Sequence, residues 1–351
     1  HTFDCRSFTL QAPVGVERVR HRLRFLTPHP ADLGTVLAQK TVGMIEWRTP
    51  DEVPQDFAET AVTIGKFDAI HLGHQALLAS LIDLAENDAL SPVVLTFANH
   101  PNVVLAPKAV PLPVIGATQR RQLFEEAGVE GLLNLEFNVE LAALTPEQFV
   151  RTHLVDGLKA RWVLVGQGFR FGARGEGTVD TLRELGARFG FRVVEMPRVE
   201  LDGEVISTTR VRNALDAGDV RLAAKLLGRN HTTTGIIEHG LKIGRQIGFP
   251  TANMSRDAEG YLPLDAVYAG WLYAGAERYP AALSVGINET FQAVPRLIEA
   301  HVIDRNDLDL YDQVVTLEYT DFIRPAAKFD GIESLVEQIN RDIDRVRELL
   351  A

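Results

Sequence analysis

Two histidines that flank a glycine stand immediately before a stretch with helical periodicity. They are His71 and His74, with Gly73 between them, and the run follows a short β-type segment that ends at Gly65. A helix N-terminus offers free backbone N–H groups and the positive end of the helix dipole, which suits phosphate. Imidazole N–H groups aimed at the same place would stabilise a phosphoryl group during transfer. This order of elements favours a phosphate-transfer site over histidines that only cap a helix.

Polar residues also follow two later strand candidates. Asn99 lies in the loop after residues 93–97, and Gly168 and Phe169 belong to a glycine-rich loop after residues 162–165. In parallel α/β sheets, ligands bind beyond the carboxyl ends of the strands, so both loops are expected on the same side as the histidines. For each loop the plainer alternative stays open: an Asn-Pro turn for the first and a flexible connector for the second.

A third feature is a helix start that carries hydroxyls and guanidinium groups. Ser207 and Thr208 precede Arg212 at the beginning of a helix predicted for residues 207–227, which ends at Gly228. Such hydroxyls are common helix caps. Hydroxyl, backbone N–H and guanidinium groups are all donors to phosphate as well, so capping and phosphate binding are both open.

A glycine-rich string nearer the C-terminus forms a second group of candidates. Its phosphate-binding members are Gly240, Gly244, Arg245 and Gly248, because glycines let backbone N–H groups turn inward around an anion. Thr251 and Asn253 lie two residues apart, so they face the same side of an extended strand. Their oxygens could hold Mg²⁺ together with nucleotide phosphates and water. Glu299, before a strand-like run, is either a solvated acid or a base for an attacking hydroxyl.

The elements around these motifs follow two different patterns. From about residue 61 to residue 228, near-continuous apolar strands alternate with helices, which predicts a parallel sheet covered on both faces. From about residue 229, short strands separated by turn residues predict a small antiparallel barrel. A last helix with an apolar stripe is expected to pack on the barrel, and Asp330 and Glu333 are expected to form a capping box at its start.

In these motifs and their order, the chain resembles the nucleotidyltransferases with the HxGH signature, and most of all the bacterial bifunctional riboflavin kinase/FAD synthetases. The specific mark of the kinase half is Gly-Arg-x-x-Gly-Phe-Pro-Thr-Ala-Asn. Residues 1–40, which include several arginines, are expected to form an extension of unknown role, either a poorly ordered tail or a segment of transit-peptide character. The resemblance implies an FMN adenylyltransferase domain, a doubly wound α/β parallel sheet, at residues 41–228. It implies a riboflavin kinase domain, a small antiparallel β-barrel with a C-terminal helix, at residues 229–351.

The resemblance also implies two reactions that use ATP. The C-terminal domain would phosphorylate riboflavin to FMN, and the N-terminal domain would adenylylate FMN to FAD and release pyrophosphate. By this resemblance His71 and His74 stabilise the reacting phosphate, Glu299 is the catalytic base, and Thr251 and Asn253 bind Mg²⁺. The residues implied to bind nucleotide or phosphate are Gly65, Phe67, Gly73, Ser207, Thr208, Arg212, Gly240, Gly244, Arg245 and Gly248. The implied flavin contacts are Asn99, Phe169 and Arg324.

Several residues depart from the family pattern. Ala69 and Asp312 stand where glycine is common, Asn99 where an acid with proline is usual, and Gly168 where asparagine is usual; the run 286–291 also differs. A methyl group at residue 69 would matter only if φ there is positive. One alternative is therefore a riboflavin kinase with a weakened or inactive adenylyltransferase domain. Two others are a non-catalytic flavin-binding sensor and a cytidylyltransferase-like enzyme, although the latter would not need a second barrel.

The composition of the chain excludes several other classes of protein. With 46% hydrophobic and 24% charged residues, the 351-residue chain is typical of globular proteins rather than disordered ones. A net charge of −11 argues against nucleic-acid and anionic-membrane partners, and the single cysteine, Cys5, excludes an intramolecular disulfide framework. No apolar run reaches the ~18 residues of a membrane helix. We expect a cytoplasmic enzyme whose ligands are riboflavin, FMN, FAD and ATP; a homo-oligomer stays open.

Overall fold

A computed structural model of the protein describes residues 43–239, 244, 247–286 and 296–351. The predicted extension at residues 1–40, Gly240, Arg245 and most of the run 286–291 therefore lie outside the described residues. The described part of the chain divides into two compact units. The first contains residues 43–111 and 121–206, and the second contains residues 112–120 and 207–351. The domain boundary at residue 228 stays a prediction.

The first unit is built on a six-stranded sheet. Its strands are β1 (Ile45–Trp47), β2 (Thr60–Ile64), β3 (Ser91–Phe97), β4 (Gly131–Leu135), β5 (Ala160–Gly166) and β6 (Arg192–Met196). They lie in the order β1-β4-β3-β2-β5-β6, and every pairing is parallel. All five residues of β2 are buried, as expected for a strand covered on both faces. The predicted parallel α/β sheet is confirmed.

Helices connect these strands. In chain order they are α1 (Leu72–Asn87), α2 (Asn102–Leu105), α3 (Ala117–Glu126), α4 (Val139–Ala143), α5 (Pro146–Phe149) and α6 (Val179–Phe189). Helix α5 starts with a capping box formed by Thr145 and Gln148, and it continues into a π-helical segment, Val150–Gly157. Shorter elements are the 3-10 turns Pro50–Glu52, Pro107–Ala109 and Ala173–Gly175 and the hairpin of β7 (Glu200–Leu201) and β8 (Glu204–Val205).

Strand β2 is the point at which the order of the sheet reverses. On one side lie β3, β4 and β1, and on the other lie β5 and β6. Open α/β sheets bind ligands in the crevice at such a switch point, beyond the carboxyl ends of the strands. The loop from Gly65 to His71 leaves β2 and enters α1. The sheet therefore positions the histidine loop where its topology favours a ligand.

The second unit combines two helices, a barrel and a long C-terminal helix. Its elements are α7 (Thr208–Asp216), α8 (Val220–Leu227), β9 (His231–Glu238), β10 (Ala252–Met254), β11 (Ala266–Ala274), β12 (Glu277–Gly286), β13 (Leu297–Val302), β14 (Val314–Pro325) and α9 (Ile332–Leu350). The prediction of one helix over residues 207–227 is wrong. Gly218, with φ at 75°, turns the chain between α7 and α8.

The six strands β9–β14 close into a barrel in the order β10-β13-β12-β11-β14-β9. All of its pairings are antiparallel, which confirms the predicted barrel. Helix α9 packs on the barrel through Ile343 and Val346, as its apolar stripe predicts. The predicted capping box of α9 is wrong, because the N-cap is Gly331 and it forms no side-chain hydrogen bond. Among the described helices, none has both the length and the apolar character that crossing a bilayer requires.

A buried histidine lies at the start of β9. His231 Nε2 lies 2.6 Å from the carbonyl oxygen of Tyr261, so a neutral ring with its proton on Nε2 donates a hydrogen bond there. Burial lowers the pKa of His231 from its ordinary value of 6.5 to about 4, although the hydrogen bond to Tyr261 acts in the opposite direction. The folded barrel therefore holds this imidazole neutral at pH values where the unfolded chain protonates it.

We expect this histidine to make the second unit less stable in acid. Between its ordinary pKa and its folded pKa, the unfolded state binds the extra proton, so the free energy of unfolding falls as pH falls. The slope is at most about 1.4 kcal/mol per pH unit. His231→Gln, which keeps an N–H donor, should flatten this slope in urea unfolding followed between about pH 7 and pH 4.5. His239→Gln, at an exposed histidine, is the control; equal slopes in both variants would contradict the assignment.

Candidate active sites

The loop after β2 has a backbone conformation that is unfavourable for its residues. Phe67 and Ile70 have φ values of 50° and 41°, in the left-handed region that non-glycine residues rarely adopt. Such conformations persist at functional sites when surrounding contacts enforce them. Here Thr96 Oγ1 donates to the Lys66 carbonyl oxygen at 3.2 Å, and Gln75 Nε2 donates to the Ile70 carbonyl oxygen at 2.9 Å. These hydrogen bonds hold the loop on both sides of Phe67.

His71 and His74 are brought together at the N-terminus of α1, as predicted. Their rings stack with centroids 3.8 Å apart and planes inclined by 13°. His71 is the N-cap residue, and its Nδ1 accepts a hydrogen bond from the backbone N–H of His74 at 3.4 Å. An accepting Nδ1 assigns the proton of the neutral ring to Nε2, which can then donate to a ligand. Capping and ligand binding are thus compatible functions of the same imidazole.

Aromatic rings pack directly against the glycines of this loop. A Cβ atom at Gly73 would lie 3.1 Å from His71 Cε1, and one at Gly65 would lie 3.0 Å from the Phe67 ring. Phe67 itself is fully buried, with its ring centroid 5.0 Å from that of His74. Its predicted contact with nucleotide stays a prediction. The Phe67 side chain packs against the ring of His74.

Three departures from the family pattern fit the local backbone. Ala69 is buried and is not among the described non-glycine residues with positive φ, so its methyl group causes no backbone strain. Gly168 has φ at 80°, a conformation that both glycine and asparagine adopt. Asp312 has φ at 61°, in the same left-handed region, which aspartate also tolerates better than most residues. None of these three substitutions requires a backbone conformation that the residue usual in the family could not adopt.

Gln75 was not among the residues that the sequence singles out, because it lies on a helix face that is otherwise apolar. It is buried and bonded to the strained Ile70, so we expect Gln75→Met to displace His71. A hydrogen bond worth about 0.5–1.5 kcal/mol corresponds to a fall of up to about tenfold in the rate of the phosphate transfer that is predicted for this loop. The measurement is that rate, with the exposed Gln122→Met as control. A wild-type rate would show that Gln75 does not position the loop.

The predicted flavin contacts of the first unit already have protein partners. Asn99 Nδ2 donates to the Phe137 carbonyl oxygen at 3.0 Å, and Asn99 Oδ1 accepts from the Phe137 N–H at 2.7 Å. The ring of Phe169 stacks on Phe171 at a centroid distance of 5.6 Å. Asn99 therefore ties the loop after β3 to the loop after β4. Contacts of Asn99 and Phe169 with a flavin stay predictions.

Ser207, Thr208 and Arg212 belong to the second unit, at the start of α7. Ser207 is the N-cap residue, and its Oγ accepts from the Arg210 N–H at 3.2 Å, which confirms the capping alternative. Arg212 Nε donates to the carbonyl oxygen of Leu112 at 3.0 Å. Ser207 keeps its own hydroxyl proton for a second partner. Phosphate binding by these residues stays a prediction.

The barrel brings Asn253 and Glu299 side by side. The two residues lie directly opposite each other on the antiparallel strands β10 and β13. Residues in this relation point to the same face, with Cβ atoms about 4.5–5.5 Å apart. The adjacent Met254 and Ile298 are buried in the barrel, so Asn253 and Glu299 face outward. A predicted metal-binding residue and the predicted base therefore share one face.

The glycine string turns back closely against Thr251. A Cβ atom at Gly244 would collide with the Phe249 carbonyl oxygen and lie 3.4 Å from Thr251 Oγ1. The Phe249 N–H donates to the Gly244 carbonyl oxygen at 2.7 Å, and Gly248 has φ at 91°. Glycine is required at both positions, by close approach at Gly244 and by the positive φ at Gly248. The described part of the string thus leaves its backbone beside the predicted metal ligand.

A pocket in the barrel unit contains both Thr251 and Asn253. The segment between β13 and β14 also lines it, through Leu308, Leu310 and Tyr311 among others, as do apolar barrel residues such as Val302. The Tyr311 ring packs on His239 with centroids 3.9 Å apart. A mainly apolar lining with a few polar groups is typical of small-molecule sites. No role for Leu308 or Tyr311 was predicted, because their segment has no local pattern that points to a ligand.

Arg324 fixes α9 to the barrel. Its Nη2 lies 2.7 Å from Asp342 Oδ2, and its Nε lies 3.0 Å from both carboxylate oxygens. Gln338 Nε2 donates to the same carboxylate at 2.8 Å, and Asp342 is buried. A buried carboxylate with this set of donors is satisfied. Contact of Arg324 with a flavin stays a prediction.

The oxygen donors of the barrel site fit magnesium. No cluster of three or more His, Cys, Asp or Glu side chains suited to a metal occurs within the described residues. Mg²⁺ prefers oxygen ligands and keeps several waters, so it needs few protein groups when phosphates are present. The hydroxyl of Thr251 and the amide of Asn253 are oxygen ligands of this kind.

Comparison with known proteins finds matches to both halves of the chain. The family model for FAD synthetase matches residues 53–210, and the model for riboflavin kinase matches residues 227–350. The bifunctional riboflavin kinase/FMN adenylyltransferase of Pseudomonas fluorescens is 36% identical over 290 residues, which cover 82% of this chain and 92% of the relative. The enzymes of the same name from Bacillus subtilis and Escherichia coli K12 are each 33% identical, with 83% and 82% of this chain and 92% and 91% of the relatives covered.

A solved structure with the same architecture is described as a macrolide-efflux protein from Streptococcus pneumoniae. It superposes with a TM-score of 0.78 and 32% sequence identity, covering 87% of this chain and 98% of that one. The macrolide-efflux description belongs to the Streptococcus pneumoniae protein and is not transferred to this chain. Both family models match in the expected order, and the curated relatives are covered over nine tenths of their length. The chain belongs to the family of bifunctional riboflavin kinase/FMN adenylyltransferases.

Proposed function

We propose that the two activities of the family use separate sets of residues in this chain. FAD would be made from FMN at the histidine loop after β2, and FMN would be made from riboflavin on the barrel, with ATP consumed in both reactions. One observation carries the proposal. The stacked His71 and His74 lie at the start of α1, in the unit that contains the parallel sheet, whereas Asn253 and Glu299 are paired across barrel strands of the other unit.

In the adenylylation step, a phosphate oxygen of FMN attacks the α-phosphorus of ATP. A new P–O–P bond forms as the bond from that phosphorus to pyrophosphate breaks. We propose that His71 Nε2–H and the imidazole of His74 donate to the oxygens that gain negative charge, together with N–H groups at the start of α1. These donors are fixed by the cap and the ring stack before the reaction, so they favour the transition state.

In the kinase step, the terminal ribityl hydroxyl of riboflavin attacks the γ-phosphorus of ATP. The new P–O bond forms as the bond to ADP breaks, and we propose that Glu299 accepts the hydroxyl proton. Thr251 and Asn253 would hold Mg²⁺ against the phosphates; when bound, the ion neutralises phosphate charge. The direct register of Asn253 with Glu299 supports this assignment, because it sets the base beside the phosphates.

The remaining predicted residues complete the two proposed sites. We propose that Gly240, Gly244, Arg245 and Gly248 bind ATP phosphates in the kinase reaction. Gly65, Gly73, Ser207, Thr208 and Arg212 would bind nucleotide phosphates in the adenylylation, where the Ser207 hydroxyl can donate while its oxygen caps α7. Asn99, Phe169 and Arg324 would contact flavin. The packing of Gly244 against Thr251 supports the first of these sets.

We further propose that the enzyme works in the cytoplasm with riboflavin, FMN, FAD and ATP as its ligands and with no nucleic-acid or membrane partner. The net charge of −11 supports the absence of nucleic-acid and membrane partners, because polyanions and anionic lipid surfaces repel such a chain. A homo-oligomer is compatible with every assignment above.

The test is a product assay with the full chain, riboflavin, ATP and Mg²⁺, resolved by chromatography. FMN should appear first and FAD later, with one pyrophosphate released for each FAD. A product that stops at FMN would identify a kinase with an inactive adenylyltransferase site. Riboflavin binding without any ATP consumption would identify a flavin sensor. Either result would overturn the proposal.

A further inference from the structure

Asn253 has a second acidic neighbour that the sequence does not reveal. On strand β9, Glu238 lies directly opposite Asn253, just as Glu299 does on β13. Ile237 is buried in the barrel, so Glu238 faces outward, and it is exposed. Three outward side chains therefore form a row across β9, β10 and β13, with the amide of Asn253 between two carboxylates.

The row places both carboxylates within reach of one ion. Cross-strand partners have Cβ atoms about 4.5–5.5 Å apart, and a glutamate side chain extends one methylene further than that of asparagine. Each carboxylate can therefore approach an ion held at the Asn253 amide oxygen. Thr251 Oγ1 lies on the same side of the extended segment and is backed by the turn at Gly244.

The charge of Glu238 is unfavourable at this place unless a cation is present. Polyphosphate bound at Thr251 and Asn253 would be repelled by a carboxylate on the neighbouring strand. A divalent cation between them turns this repulsion into attraction. The number of charged ligands is also what sets the affinity of oxygen-ligand sites for divalent cations.

We propose that Glu238 is a further magnesium-binding residue of the kinase site. Its carboxylate joins the oxygens of Thr251 and Asn253 around the ion, directly or through one of the ion's water molecules. This inference rests on the proposed kinase function of the barrel. Glu238 and Glu299 then have different tasks on the two sides of Asn253: Glu238 holds the cation, and Glu299 accepts the proton.

The test measures cation binding without turnover. Mn²⁺ replaces Mg²⁺ as the probe, ADP is present at a fixed concentration, and free Mn²⁺ is measured from its EPR signal in titrations of the full chain. Asn253→Ala should remove one class of bound Mn²⁺, which defines the kinase site against all other sites. Glu238→Gln should raise the dissociation constant of that class about tenfold. Glu337→Gln, which removes an equal charge from an exposed position on α9, should leave it unchanged.

A second readout is the Mg²⁺ concentration that gives half-maximal FMN formation. It should rise about tenfold in Glu238→Gln and stay unchanged in Glu337→Gln. If Asn253→Ala removes the Mn²⁺ class but Glu238→Gln leaves its dissociation constant within about twofold, this inference is wrong while the kinase site stands. If Asn253→Ala also retains the Mn²⁺ class, the proposed kinase site is itself wrong. Because Glu238 is exposed, its replacement is not expected to unfold the barrel.

Discussion

His71→Ala is expected to abolish measurable FAD formation and to leave FMN formation from riboflavin unchanged. The substitution removes the Nε2–H donor and the ring on which His74 stacks. Loss of one fixed donor to a developing oxyanion lowers the rate about 10²–10³-fold, and loss of the stacking partner adds to this. The kinase residues lie on the barrel, in the other unit, and keep their contacts.

The measurement is the initial rate of FAD formation from supplied FMN and ATP, next to FMN formation from riboflavin by the same preparation. His71→Asn is the matched variant, because asparagine is a good N-cap residue but lacks an imidazole N–H. It should retain the thermal stability of the wild type and still fail to make FAD. If FMN formation collapsed together with FAD formation, the assignment of the two reactions to separate residue sets would be wrong.

Asn253→Ala is expected to give the opposite pattern. Removing the amide oxygen beside Glu299 misplaces the cation and with it the γ-phosphate, so positioning and charge neutralisation are lost together. A displacement of about 1 Å at a reacting centre already costs about a hundredfold in rate, and we expect at least this loss of FMN formation.

FAD formation from supplied FMN is the internal reference for Asn253→Ala and should proceed at the wild-type rate. Asn340→Ala serves as the control for an asparagine-to-alanine change, since Asn340 lies on the exposed side of α9 and its Nδ2 donates to the Val336 carbonyl oxygen of the same helix. Thermal unfolding should show that both variants are folded. A fully active Asn253→Ala kinase would exclude this residue from the metal site.

The architecture was predictable because an uninterrupted run of apolar residues in a strand indicates that both faces of the strand are buried. Val62 and Ile64 in β2, and Val93 and Leu95 in β3, belong to runs with no polar face, and only a sheet covered on both sides buries such runs. The histidine site was predictable for a related reason. His71, Gly73 and His74 lie within one loop, so their proximity follows from chain order alone.

What the sequence could not show depends on contacts between distant segments. The neighbours of Asn253 are set by the register of β10 with β9 and β13, and a shift of one residue would turn Glu238 to the barrel interior. The break at Gly218 was missed because a single glycine inside a helical pattern is often tolerated. Gln75 was missed because its partner is a backbone carbonyl, for which the sequence carries no mark.

The closure of the barrel also bears on how copies of this chain meet in concentrated solution. A ring of strands has no border at which an incoming strand could add, whereas an open sheet has two. In the parallel sheet those borders are β1, with only three residues, and β6. On β6 the guanidinium of Arg192 lies over the Trp162 ring at 5.1 Å, and charge along a border discourages strand addition. Aggregation through native edges should therefore begin on the sheet rather than on the barrel.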